Sequence, residues 1–230
     1  MTRGTSLEPV PASTSPRSVL VDLGPLAQLR AGRLARRLPQ LFVGLFLYGV
    51  SLAMMVRGGL GLAPWDVLHS GFIRHVPMTL GQAVVLFSFV VLVLWVPLRE
   101  MPGLGTISNA VVVGMSADLT LATLEHPDAL VARTGLMLGG VVLCGLASAL
   151  YIGAQLGRGP RDGLMTGIAR RTGWSLRLVR TGLEVAVVAI GLLLGGVLGV
   201  GTVVYALAIG PLTQLMLPWF TVDVTAPDAR

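Results

Sequence analysis

Six stretches of predominantly apolar residues, at about 39–57, 78–98, 104–124, 133–156, 175–197 and 200–220, take up most of the chain. Each is close to the roughly 20 residues a helix needs to cross about 30 Å of hydrocarbon. Composition agrees: of 230 residues only 12% are charged and 53% are hydrophobic, against about 25% charged in ordinary globular domains. The expected fold is an all-α polytopic membrane protein with six transmembrane helices.

All 17 basic residues are arginines, and the net charge is +6. They cluster in the gaps between apolar runs, which points to topology and anionic lipid headgroups and away from nucleic acid. With six crossings and a cytoplasmic N-terminus, only Arg57, Arg74 and Arg133 fall outside and the other 14 fall inside, as the positive-inside rule expects. The acidic loop from Glu125 to Asp128 is then external, and both termini are cytoplasmic. Residues 1–37 read as a basic tail, disordered where Pro, Ser, Thr and Gly prevail over residues 1–25. Residues 26–38, LAQLRAGRLARRL, suit either an interfacial helix on anionic lipid or a plain polybasic flank. Residues 221–230 form a C-terminal tail. The single cysteine, Cys144, lies inside an apolar run and offers neither disulfide nor metal site, and no cofactor is expected.

Set against itself with an offset of 96 residues and no gap, the chain aligns 41–124 with 137–220 at 21 identities over 84 pairs. Seven are glycines: Gly44, Gly49, Gly61, Gly71, Gly103, Gly105 and Gly114, each with a partner 96 further on. Pro64 matches Pro160, Asp66 matches Asp162 and Arg74 matches Arg170. Chance similarity between apolar segments would match Leu and Val, not these. Each half, 38–124 and 133–220, holds three spans, and an odd number of crossings inverts the second copy relative to the first. Thr106, Ala110 and Gly114 in the third span, and Thr202, Ala206 and Gly210 in the sixth, form small-residue faces. By symmetry these two helices are expected to meet near the pseudo-two-fold axis.

Between the first and second spans of each half lies a repeated motif, GLAPWDVLHSG at 61–71 and GRGPRDGLMTG at 157–167. Gly61, Gly157 and Gly159 permit a backbone turn, and Pro64 and Pro160 suit the first turn of a helix. Segments 64–76 and 160–172 are too short to cross. Along them Asp66, Ser70 and Arg74, and again Asp162, Thr166 and Arg170, form a polar stripe. Trp65, Leu68 and Phe72, with Leu164 and Ile168, form the opposite apolar face. Two arrangements fit: an amphipathic helix lying flat at the interface, or a re-entrant half-helix whose N-terminus reaches the midplane.

GLGLAPWDVLHSG, PGLGTISNA, GPRDGLMTGIARRTG, RLVRTGLE and GVGTVVYALAIGPLTQ resemble the signature stretches of the YczE-type, YitT-like family of bacterial integral membrane proteins. The resemblance covers about residues 40–220 and implies a multi-span protein of the bacterial inner membrane, in a family whose members are mostly of unestablished activity. Ala63 stands where that motif has a glycine, so the first turn is expected to be stiffer than the second.

Ionisable groups within spans are default candidates for function. Asp66, Asp162 and Asp118, with His69, Ser70 and Thr166, are the expected solute- or ion-binding residues. Asp118 aligns with Gln214, and His69 is placed to share a proton with Asp66. Arg180 and Glu184 are spaced for an intrahelical salt bridge. No G-x-S-x-G, H-E-x-x-H or phosphate-cradling motif occurs, so no catalytic residue is assigned. Two functions remain open: a permease for an unknown small solute, or a non-transporting helper for a biosynthetic or export partner. A homo-oligomer is compatible with either. An accessible cavity lined by Asp66 and Asp162 would favour the permease, and a solid centre with an apolar lateral groove the helper.

Overall fold

The computed structural model describes residue 20 and residues 23–224. Most of the expected disordered tail and residues 225–230 lie outside the described residues. Among those described the chain forms nine helices: α1 Pro25–Arg30, α2 Leu34–Gly58, α3 Pro64–Phe72, α4 Leu80–Leu98, α5 Leu104–Thr123, α6 Leu130–Gly153, α7 Pro160–Thr172, α8 Leu176–Leu193 and α9 Val200–Phe220. Helices α2, α4, α5, α6 and α9 are long and apolar enough to cross a membrane. Helix α8, with 18 residues, carries Arg177, Arg180 and Glu184 and is not among these five.

The 96-residue offset is visible in the helix starts: Leu34 and Leu130, Pro64 and Pro160, Leu80 and Leu176, Leu104 and Val200. It is visible in the contacts too. α2 and α6 pack along each other through reciprocal glycines. A Cβ on Gly44 would come within 2.8 Å of the Tyr151 nitrogen, and one on Gly140 within 2.9 Å of the Ser51 oxygen. Around this pair, α5 packs on α2, where Gly49 meets Ser116, and α9 packs on α6, where Gly145 meets Leu212. Each of these contacts recurs 96 residues later. The short helices cross over: α3 packs on α8 and α7 on α4. The start of α5 is tied to the other copy by Gly105 N–H donating to Leu156 O at 2.7 Å, and the start of α9 by Gly201 N–H donating to Leu60 O at 2.7 Å.

Two arginines extend this symmetry beyond the aligned window. Arg37 donates from Nε to Ala154 O at 2.8 Å and from NH2 to Gln155 O at 2.6 Å. Arg133, 96 residues on, donates from Nε to Gly58 O at 2.9 Å and from NH2 to Gly59 O at 3.1 Å. Each guanidinium forks across the last carbonyls of the partner helix, groups that a helix leaves unpaired.

Three expectations are corrected. Of the two readings of residues 26–38 the single interfacial helix is not formed: the chain breaks at Gly32 (φ +79°) and Arg33 (φ +54°), then α2 runs without interruption from Leu34. Arg37 is fully buried and not at a headgroup, and it also holds Gln28 O at 2.7 Å and Gly32 O at 3.1 Å. The small-residue faces of the third and sixth apolar stretches do not meet. Gly114 packs on Gly81 and Val85 of α4, while Gly210 has no heavy atom within 4 Å of where its Cβ would lie. Instead α2 and α6 pack on each other, and α5 and α9 both line a cavity.

Candidate functional site

Both short helices begin the same way. Gly61 has φ +123° and Gly157 φ +130°, a region that favours glycine. Each also lies against the other copy: a Cβ on Gly61 would sit 2.8 Å from the Thr202 nitrogen, and one on Gly157 2.9 Å from the Thr106 hydroxyl. Pro64 and Pro160 then open α3 and α7. Ala63 has φ −59° and ψ 151°, and Gly159 has φ −60° and ψ 154°. That extended conformation suits any residue, so alanine does not stiffen the first turn, contrary to expectation.

In α3 every residue from Pro64 to Gly71 is buried, including Asp66 and Ser70 of the polar stripe, while Arg74 beyond its end is exposed. Asp66 is 5% exposed and His69 1%, and His69 Nδ1 lies 3.0 Å from Asp66 Oδ1. The third partner comes from the other half: Arg161, at the start of α7, has NH2 3.7 Å from Asp66 Oδ1 and its guanidinium 5.1 Å from the Trp65 ring centroid. The N-terminal turns of the two short helices are therefore linked through the Arg161 side chain. From there they diverge. Gly71 and Arg74 run towards Gly191 and Gly195 at the end of α8, and Gly167 runs towards Leu98 and Glu100 at the end of α4. The tip of α7 is anchored by Trp95, whose Nε1–H donates to Pro160 O at 3.0 Å.

Beside this junction lies a cavity of about 250 Å³. The tip of α7 contributes Gly159, Pro160, Arg161 and Asp162, and α8 contributes Arg180. Tyr48, Tyr151 and Tyr205 come from α2, α6 and α9, and Asn109 from α5. Asn109 and Tyr205 are 96 residues apart, as are Val84 and Arg180, and both members of each pair line the cavity. The tip of α3 is covered instead, so the cavity is asymmetric. Asp162 accepts a hydrogen bond from Tyr151 OH at 2.7 Å. It also lines a second recess of about 270 Å³ with Gln28, Gln155 and Arg158, standing between the two spaces.

The structure thus joins Asp66 to His69 behind the wall, sets Asp162 in the cavity, and separates the rest. Ser70 donates to Val67 O at 2.9 Å and accepts from Val197 N–H at 3.1 Å, pinning α3 to the α8–α9 connection. Thr166 donates to Gly163 O at 3.1 Å and accepts from Arg158 NH1 at 3.2 Å. Neither lines the central cavity. Asp118 accepts from Gly81 N–H at 2.8 Å and from the Thr79 hydroxyl, so it caps the start of α4. Its counterpart Gln214 is the one that lines the cavity. The Arg180–Glu184 pair forms as expected, Nε to Oε1 at 3.0 Å.

Sequence reasoning passed over Arg161, counted as a loop charge, and the three tyrosines. The spacing of Asn109 and Tyr205, polar residues at equivalent places in two apolar stretches, was the available signal.

Helices of this length and composition, packed around a polar interior, define an all-helical membrane protein. The chain belongs to the family described as a family of unknown function, DUF6198, whose model matches residues 35–218. It is 40% identical over 177 residues to an uncharacterized protein of Haemophilus influenzae, covering 77% of this chain and 81% of that one. It is 32% identical over 182 residues to the uncharacterized membrane protein YczE of Bacillus subtilis, covering 77% and 83%. A third relative, the uncharacterized protein YyaS of the same bacterium, is 24% identical over 180 residues. The resemblance to YczE read from the signature stretches is borne out. No solved structure matches.

Proposed function

We propose that this protein is a small-solute permease of the bacterial inner membrane, built as two inverted repeats of three crossings with both termini cytoplasmic. Helix α8 is the sixth crossing. Its charges are tolerable there because Arg180 pairs with Glu184 one turn on and lines the cavity. Segments α3 and α7 are re-entrant half-helices that come in from opposite faces, their N-terminal turns linked through Arg161. An interfacial helix keeps its polar face in water, whereas Asp66 and His69 in α3 are sealed in protein.

The observation that carries the permease reading is the polar cavity beside the junction of these two tips, lined by equivalent positions of both repeats. Inverted-repeat transporters bind their substrates at such a place, on broken helices near the midplane. The asymmetry fits alternating access, in which one repeat's tip is open while the other's is covered. A helper that only holds a partner has no use for a wet, charged centre. The shallow groove of Met54, Leu138 and Val142 that a helper would offer is apolar, like any lipid-facing surface.

The test is a thermal-shift screen of the purified protein against small anions, amino acids and metabolites, followed by uptake of each hit into proteoliposomes. A hit that accumulates in vesicles, and does so no longer with Asp162→Asn, is the expected result. A ligand that binds without crossing would favour the helper.

A further inference from the structure

We propose that the central cavity binds a small zwitterion, its ammonium group on Asp162 and its anionic group on the guanidinium groups of Arg180 and Arg161; this rests on the permease reading. The charges around the cavity are not evenly matched. Asp66, behind the wall, already has His69 and Arg161 beside it. Glu184 has the Nε of Arg180. Asp162 is the exception: among the described residues no arginine or histidine forms an ion pair with it, and its hydrogen-bond donor is the Tyr151 hydroxyl. A carboxylate facing a cavity inside an apolar bundle, held by one neutral donor, is a place for a cationic group.

The arginines argue against a simple cation. Each guanidinium has five N–H donors in a planar fork. Arg180 gives its Nε–H to Glu184, which leaves both terminal amino groups outside that pair, on a side chain that lines the cavity. Arg161 reaches Asp66 only at 3.7 Å and rests its face on Trp65, so its edge still has donors for the cavity. A free cation would meet two guanidinium groups, and a free anion would meet Asp162. Only a ligand with both charges meets a complement at each. Tyr48, Tyr151 and Tyr205 line the rest, and aromatic rings also attract ammonium groups. The volume, about 250 Å³, is that of roughly eight waters, the bulk of an amino acid.

Matched ligands test this by isothermal titration of the detergent-purified full chain. L-valine, isobutylamine and 3-methylbutanoate differ only in which charge is present. The remaining amino acids with their decarboxylated and deaminated analogues, γ-aminobutyrate and glycine betaine extend the series to millimolar concentrations. The expected result is that at least one zwitterion binds, and that its amine and its acid each bind at least about tenfold more weakly. Asp162→Asn should erase the preference for the zwitterion over the acid. The double variant Arg180→Gln with Glu184→Gln, which keeps that pair neutral, should erase the preference over the amine. Equal binding of an amine or an acid, a preference untouched by both variants, or no zwitterion bound at all would overturn the proposal. Uptake of a non-zwitterion would leave the permease reading standing without it, and zwitterion binding without uptake would do the reverse.

Discussion

Replacing Arg37 with Ala should destabilise the protein far more than replacing Arg133, although the two are equivalent in the repeat. Both fork across two terminal carbonyls of the partner helix. Arg37 makes two further bonds, to Gln28 O and Gly32 O, and is 0% exposed. A hydrogen bond to a charged group contributes about 1.5–3 kcal/mol, and a buried acceptor left alone costs about 1–3 kcal/mol. At half-buried Arg133, water replaces the lost donors, so the expected cost is about 1–2 kcal/mol. At Arg37 the guanidinium is fully buried and Ala154, one of its four acceptors, is buried with it, so water replaces less of what is lost, for about 3–5 kcal/mol. With roughly 2–4 °C per kcal/mol for a chain of this size, the melting temperature of the Arg37 variant should be lower than that of the Arg133 variant by about 4–12 °C. The chain provides its own probe. Cys144 is the single cysteine and is 3% exposed, so a thiol-reactive fluorophore reports unfolding in detergent. Arg37→Lys should rescue little, because one ammonium cannot span both carbonyls. If Arg37→Ala melts no lower than Arg133→Ala, the buried bracket is not what ties α1 and α2 to α6.

Two further outcomes follow from the packing and from the site. Gly114→Leu should lower stability by several kcal/mol, since even a Cβ there would lie 2.4 Å from Gly81 O; Gly210→Leu should melt within about 1 kcal/mol of the parent yet abolish any ligand-induced shift, because it fills the cavity. Asp66→Ala strands Arg161 and His69 and should cost about 3 kcal/mol, whereas Asp162→Ala loses one tyrosine hydrogen bond and should cost about 1 kcal/mol; equal melting temperatures would show that the two aspartates are not differently matched.

The sequence made the helices legible because their determinants are local: apolar length, Gly and Pro at the breaks, and the threonine–glutamine cap that starts α4 at Thr79 and Gln82. The 96-residue offset was equally plain, since Asp, Arg and Gly have no reason to align by chance. What remained hidden was which faces meet. Small residues at Thr106, Ala110 and Gly114 allow close packing without naming the partner, and the structure sets Gly114 on α4 and Thr106 on the connection before α7. Arginines were misread for a related reason. Arg37 and Arg161 sit in basic runs at the ends of apolar stretches, where a charge tally treats them as solvated. Their partners, carbonyls 117 residues away and an aspartate in the other repeat, exist only after folding. The pairing of Arg37 with Arg133 lies just outside the ungapped window, though the same offset reaches it.

The central claim is that α3 and α7 come in from opposite faces of the membrane and meet at the solute site. In a Cys144→Ala background, single cysteines at the exposed positions following or ending these helices, His75→Cys and Arg171→Cys, can be probed with a membrane-impermeant maleimide on intact cells. The account expects position 75 to be labelled from outside and position 171 only after the membrane is permeabilised. Labelling of both positions from the same side would contradict it.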